Sequence, residues 1–167
     1  MRIISGKHKG RKIHLPAGFD ARPTTDFARE NIFNILNNHY NLNEVRFLDL
    51  FSGSGAFSME MLSRGCKNVT SVETNFRHVD QIEKNAKEIE DDILEVYNSN
   101  AISFLEKVQH EYHIIFADPP FNTEYYNEIY DLVFSRNLLR PGGLLVLEHN
   151  EKHDFSDKKN FLEIRTY

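Results

Sequence analysis

The chain of 167 residues contains one cysteine, Cys66. A lone thiol cannot close an internal disulfide, so the fold must stand on its own core, and a reducing cytoplasm suits it. Cys66 itself reads as a small buried hydrophobe. No apolar run is long enough to span a bilayer, and Met1–Ile4 do not open a signal-peptide pattern, so no membrane association is expected. Internal repeats and low-complexity stretches are also missing. No acidic residue appears before Asp20, although over the whole chain 25 acidic residues outnumber 20 basic ones. The net charge of −5 argues against a protein that coats nucleic acid with its entire surface. Yet Arg2, Lys7, Lys9, Arg11 and Lys12 crowd the beginning of the chain. This positive patch on an acidic body is either a solvated hairpin or a surface that contacts phosphates.

The length and the 40% apolar content fit one globular domain able to bury a core. Short β-type runs at Arg2–Ser5 and Lys12–Leu15, joined through Gly6 and Gly10, predict a hairpin. Residues Pro16 to Pro23 read as a loop. Thr24, Thr25 and Asp26 offer side-chain oxygens for a helix start, and Ala28, Ile32, Ile35 and Leu36 carry the helix to about Asn38. From Arg46 a rhythm sets in: strand RFLDL, a helix closed by Gly65, strand NVTSVE, a helix marked by Val79, Ile82, Ala86 and Ile89, strand LEVYN, a helix marked by Ala101, Phe104, Leu105 and Val108, strand HIIFAD, and a helix from about Thr123 to Phe134. Pro141-Gly142-Gly143 predicts a sharp turn into strand LLVLEH, and FLEIRT the start of one more strand. Strands that are apolar on both faces and alternate with helices make an α/β fold with a mostly parallel sheet covered on both sides. Such sheets bind ligands at the carboxyl ends of their strands.

The residues at those ends are distinctive. The first strand runs into Asp49-Leu-Phe-Ser-Gly-Ser-Gly55, where Gly53 and Gly55 allow a tight turn and close approach of a ligand. A dinucleotide fingerprint would place a third small residue at position 58, which is Ser. Asp49 would repel a pyrophosphate and suits a ligand with positive charge or free amino groups. The second strand ends in Glu73, either a ribose-binding acid or a surface acid capping the next helix with Asn75. Asn100 before Ala101 is a helix N-cap whose neighbouring backbone can also read an adenine edge. The fourth strand ends in Asp118-Pro119-Pro120-Phe121. Two prolines fix two φ angles and remove two donors, leaving a rigid row of acceptors beside a carboxylate, followed by a ring. That set suits a planar group bearing an exocyclic NH₂.

In this order and spacing, FLDLFSGSGAF, SVE, NSNA and DPPF resemble a class I S-adenosylmethionine-dependent methyltransferase with a Rossmann-like sheet. The N-terminal RIISGKHKGRKI followed by RPTTDFARENIFNIL resembles the RsmD family, which methylates N2 of a guanine in bacterial 16S ribosomal RNA. The resemblance covers nearly the whole chain. It implies S-adenosylmethionine as cofactor and S-adenosylhomocysteine as product. It places Asp49, Phe51, Ser52, Gly53 and Gly55 around the amino-acid end of the cofactor, Glu73 at the ribose, and Asn100 with Ala101 at the adenine. Arg22, Pro23 and Thr24 would belong to a segment closing over it. Asp118, Pro119, Pro120 and Phe121 would grip the target base, and Lys7, Lys9, Arg11 and Lys12 would contact RNA. Residues 1–40 would form a hairpin and helix packed on a methyltransferase core of residues 41–167. The family sheet has seven strands, and the last is expected to be missing from this chain, which stops at Tyr167.

The expected partner is 16S ribosomal RNA, the small subunit or an assembly intermediate, met by a monomeric, cytoplasmic enzyme. The DPPF motif alone leaves an N6-adenine methyltransferase open. A non-catalytic RNA-binding assembly factor that keeps the fold, and a dinucleotide-dependent oxidoreductase, are the readings from other classes. His149 and His153 read as unpaired surface or loop residues, and no metal is expected.

Overall fold

The computed structural model describes residues 1–16, 18, 19, 24–120 and 125–166. Among these residues five strands and five α-helices alternate: α1 (Asp26–His39), β1 (Arg46–Leu50), α2 (Ala56–Ser63), β2 (Asn68–Glu73), α3 (Phe76–Glu88), β3 (Glu95–Asn98), α4 (Ala101–Lys107), β4 (Tyr112–Ala117), α5 (Tyr125–Ser135) and β5 (Leu139–Leu147). The sheet has the order β3-β2-β1-β4-β5, and every described pairing between strands is parallel. Each crossover therefore needs a helix. The chain winds outward from β1 to β3, then returns to the other side of β1 for β4 and β5. Strand order reverses between β1 and β4, which opens a crevice at their carboxyl ends.

The two-residue period of the strands sorts the core into two layers. Phe47, Ile114 and Phe116 face one side, where they meet Phe33 of α1, Phe57 of α2 and Ile82 of α3. Leu48, Leu50, Ile115 and Ala117 face the other, against Leu105 of α4 and Ile129 and Val133 of α5. The Phe57 ring stacks on Phe116 with centroids 3.7 Å apart, and Phe33 lies 5.6 Å from Phe57. This aromatic file ties α1 through α2 to the sheet. Thr25 caps α1 by accepting the Ala28 N–H at 3.1 Å. Gly65 (φ 95°) ends α2, with the Cys66 N–H donating back to the Met61 carbonyl at 3.0 Å. Cys66 is buried, as its sequence context suggested, and burial pushes its thiol up to about 11.

The N-terminal hairpin is present but narrow. It consists of one antiparallel bridge, Arg2 to Lys12, flanked by Ile3 N–H to the Arg11 carbonyl and Ile13 N–H to the Met1 carbonyl, both 2.9 Å. Ile3 and Ile13 are buried in the α1–α2 layer. The hairpin is fastened to α2 by a side chain that the sequence reading did not single out. Glu60 is fully buried and accepts the N–H groups of Ile4 at 2.7 Å and Ser5 at 2.9 Å, while Arg64 donates to it at 2.8 Å. Ser63 Oγ donates to the Ser5 carbonyl at 2.5 Å and accepts the His8 N–H at 3.0 Å.

Two expectations fail. Pro141-Gly142-Gly143 does not precede the last strand. It lies inside β5 as an irregularity: Tyr112 pairs with Leu139, but Ile114 pairs with Leu144. The extra residues are accommodated where Gly142 takes φ 74°. The FLEIRT segment is not a strand over its described residues, and Leu162 and Ile164 are exposed. A strand needs a ladder partner, and no such pairing forms there.

Gly6 shows how tightly the hairpin seats. Its φ is 82°, and a Cβ there would fall on the Ser63 carbonyl. Gly6→Ala is expected to cost about 3 kcal/mol in urea denaturation, combining overpacking with left-handed strain. An unchanged midpoint would show that the hairpin is not part of the cooperative unit.

Candidate active site

The crevice at the switch point is built from the ends of the five strands. The loop after β1 is the most contorted piece of backbone among the described residues: Phe51 (φ 58°), Gly53 (φ 54°) and Gly55 (φ 74°) are all left-handed. For Phe51 this conformation is strained, and such strain collects at functional sites. Its ring leans on Tyr125 at 5.7 Å. The two glycines serve different ends. A Cβ at Gly55 would come within 2.9 Å of Ile82 Cγ1, so this glycine lets α2 pack against α3. A Cβ at Gly53 would touch the Phe19 ring at 3.4 Å, so the bare backbone keeps the space under that ring open. Ser52 stitches the loop to the sheet: its N–H donates to the Val72 carbonyl at 3.1 Å and its Oγ to the Asp49 carbonyl at 2.8 Å.

Asp49 is only 2% exposed. Strand alternation turns its side chain toward α2, where Ser58 Oγ donates to Oδ2 at 2.6 Å, and Ser58 also bonds Ser71 Oγ at 2.6 Å. Ser71 is the cross-strand neighbour of Asp49 in the β1–β2 register. The serine that breaks the dinucleotide fingerprint is thus the partner of a buried acid. Burial pushes the Asp49 carboxyl up to about 7, against the pull of its hydrogen bonds. The acid forms the floor of the loop, beneath α2. Ser58 and Ser71 were not legible as site residues, because nothing in a sequence says which residue of α2 lies over β1.

Glu73 is buried rather than a surface acid, and the cap of α3 is Asn75, which accepts the Arg77 N–H at 3.0 Å. The Glu73 carboxylate accepts N–H groups from Gly53 and Asn75, each at 2.8 Å, and so joins the first loop to the second. His78 lies 3.8 Å from it and packs against Phe19 with ring centroids 5.4 Å apart. Asn100 caps α4, its Oδ1 accepting from Ile102 at 2.9 Å and Ser103 at 3.2 Å, while Ala101 is buried in the second layer. Thr24 is half-buried just before α1. Arg22, Pro23 and Phe121 lie outside the described residues.

Across the crevice, Asp118 follows β4, half-buried, with Pro119 buried behind it and Pro120 exposed. Burial raises its carboxyl to about 6. A second acid stands beside it that the sequence reading passed over. Glu148 follows β5, its N–H held by the Ala117 carbonyl at 2.8 Å. Burial and then the charge of Asp118 push its carboxyl up to about 8. Its Oε1 is buried without a hydrogen-bond partner among the described residues. The available signal was its place: it closes β5 as Asp118 closes β4. His149 and His153 do lie in the loop after β5, but they pack with Tyr126 and Phe155 as a ring cluster. On the hairpin, Lys7, Lys9, Arg11 and Lys12 are exposed, and Lys7 reaches Asp91 at 3.4 Å.

A parallel sheet in this order, with a strained glycine loop, an acid ending β2 and Asp-Pro-Pro ending β4, defines a Rossmann-like methyltransferase. The family model described as Conserved hypothetical protein 95 matches residues 1–166. The chain is 36% identical over 148 residues to Ribosomal RNA small subunit methyltransferase D of Escherichia coli strain K12, covering 89% of this chain and 74% of that one. It is 34% identical over 152 residues to the protein of the same name from Haemophilus influenzae, covering 89% and 78%. The solved structure of yhhF from Escherichia coli superposes with a TM-score of 0.87 at 34% identity, covering 99% of this chain and 90% of that one. The chain belongs to this family, the RsmD family.

Asp49 gives a test of the electrostatics. Its folded value lies above its unfolded one, so its contribution is fully present in acid and is lost as pH rises toward about 7. Asp49→Asn escapes that loss. Between pH 5 and pH 8 the stability difference should move toward the Asn variant by about 2 kcal/mol in urea denaturation. A difference that does not vary with pH would place the charge elsewhere.

Proposed function

We propose that the chain transfers the methyl group of S-adenosylmethionine to the exocyclic N2 amine of a guanine in 16S ribosomal RNA. The substrate is the RNA, the small subunit or an assembly intermediate. The observation that carries this reading is Asp118 beside Pro119 and Pro120 at the switch point, opposite the glycine loop. The names of the relatives support the ribosomal RNA substrate.

The residues present fit the cofactor. The space kept clear at Gly53 is a cradle that a Cβ would narrow. Each Glu73 oxygen holds one N–H and retains lone-pair capacity for ribose hydroxyls. Asp49, Phe51, Ser52, Gly53 and Gly55 would shape the amino-acid end, Asn100 and Ala101 the adenine rim, and Thr24 with Arg22 a covering segment. The bound cofactor supplies a methyl group already activated by sulfonium charge. The chain's task is therefore orientation. The Asp118 carboxylate and the Pro119 carbonyl accept the two N2 hydrogens, with Phe121 as a stacking face for a base taken out of its stack. Bound at these residues, the cofactor would supply its methyl carbon to the N2 lone pair and would keep the S–C electron pair on sulfur. Asp118 stabilises the positive charge developing on nitrogen, and the surplus proton leaves N2 toward Asp118 and then water. The exposed Lys9, Arg11 and Lys12, with Lys7, would hold RNA phosphates.

The deciding experiment supplies cofactor with a labelled methyl group alongside unmodified 16S RNA, assembled small subunits and DNA, and identifies the labelled nucleoside. N2-methylguanosine from RNA or subunits is expected, whereas label in N6-methyladenine would keep the cradle and replace the substrate. Asp118→Ala should lower kcat by roughly 100-fold or more while the cofactor Kd moves only slightly. Equal turnover would remove Asp118 from the mechanism. Because the ionised form acts, wild-type turnover should also fall as pH drops below about 6. Replacing Lys9, Arg11 and Lys12 together by alanine should weaken RNA binding and flatten its log–log salt dependence by about 2. An unchanged slope would move the phosphate contact off the hairpin.

A further inference from the structure

The proposed reaction gives a task to Asp118 but none to Glu148. Three observations set Glu148 apart. It occupies the neighbouring strand end, its N–H bonded to the carbonyl of the residue before Asp118. Its Oε1 is buried and without a partner among the described residues. Its carboxyl group is close enough to Asp118 for the charge of one to raise the proton affinity of the other. A buried carboxyl oxygen left unmatched is costly unless something is meant to meet it.

Two carboxyl groups in one low-dielectric crevice resist double ionisation. With one proton between them, the pair presents an ionised acid and a neutral one. A neutral carboxylic acid has a carbonyl acceptor and an O–H donor side by side. Guanine carries the complementary set next to its N2 amine: N1–H as donor and O6 as acceptor. Adenine, with its amine at Asp118, offers N1 as an acceptor but a carbon-bound hydrogen beyond it.

We propose that Glu148 is the specificity-determining residue of the base site: its neutral carboxyl group pairs with N1–H and O6 of the guanine whose N2 amine lies at Asp118. The inference rests on the guanine-N2 reading and names the group that enforces it. Asp118 and Pro119 recognise an amine, which several bases possess. Glu148 reads the edge beside it.

The test uses two RNAs identical except at the methylated position, which carries guanine in one and 2-aminopurine in the other. The analogue keeps the N2 amine and lacks both N1–H and O6. Wild-type protein should favour guanine by roughly 10- to 100-fold in kcat/KM, the range expected for a bidentate contact. Glu148→Ala should shrink that preference to about threefold or less, whereas Glu148→Gln, whose amide has the same acceptor and donor, should restore most of it. Because each preference compares two substrates on one protein, a variant that is partly unfolded still reports it, and the wild-type comparison needs no variant. Equal wild-type rates on both RNAs, or an undiminished preference in Glu148→Ala, would overturn the inference while leaving N2 methylation standing. On the guanine RNA, wild-type label in a nucleoside other than N2-methylguanosine would instead overturn the underlying reading, and the inference with it.

Discussion

Asp118 and Glu148 stand at neighbouring strand ends, half-buried, and the charge of Asp118 raises the proton affinity of Glu148. They follow β4 and β5, which are hydrogen-bonded through Ala117 and Leu147, and the bond from the Glu148 N–H to the Ala117 carbonyl carries that pairing past the end of the ladder. Pro119 and Pro120 stiffen one side. The cost of keeping two acids there is met by burial elsewhere, in the two apolar layers on either face of the sheet. Among the described residues nothing donates to Glu148 Oε1, and a group that meets it when it is ionised must bring an N–H or O–H.

The helix α2 couples the crevice to the outer surface. All eight of its residues are buried, so it behaves as a strut between layers rather than an amphipathic cover. It begins just after Gly55 of the strained loop and ends at Ser63, which holds the hairpin. Ser58 near its start bonds Asp49 under the loop, and Glu60 near its end bonds the hairpin backbone. A displacement of the hairpin would therefore be felt at the loop through a single short rigid element. Phe57 fixes its height over the sheet by stacking on Phe116.

The order of strands and helices could be read because each strand is apolar on both faces and each helix repeats at three and four. The boundaries of β2, Asn68–Glu73, agree with the NVTSVE segment because Gly65 ends the helix before it and Asn75 caps the one after it. Pro141-Gly142-Gly143 misled because a bulge and a turn use the same residues; only the partner strand decides between them. FLEIRT has strand composition, but pairing is a tertiary event and composition does not supply it. Within the site, Asp49, Glu73 and Asp118 were legible as acids at strand ends. Glu148 obeys the same rule, yet it sits in a run of Glu, His and Asn that looks like an ordinary solvated exit from the sheet. The Ser58–Asp49–Ser71 network and the Glu60 anchor depend on helix placement over the sheet, which no local pattern encodes.

The distribution of charge follows from the same constraint. A crevice lined by Asp118 and Glu148 repels phosphate at any pH where either acid is ionised, and the chain as a whole carries −5. A ribonucleotide approaching such a site is sorted by chemistry: its base can enter, because it carries donors and no charge, and its backbone cannot. Binding RNA then requires cations held apart from the reacting centre, on an element that tolerates exposure. In the proposed function the hairpin serves that need, with Lys9, Arg11 and Lys12 exposed and Ile3 and Ile13 buried beneath them. Moving those cations into the crevice would pair them with Asp118 and Glu148 and take both acids away from a base. Leaving them out would let the acidic body push the RNA away. Under the proposed reaction, the positive surface at one end of α2 and the acidic crevice beyond the loop at its other end are two halves of one requirement: grip the backbone outside, and admit only the base.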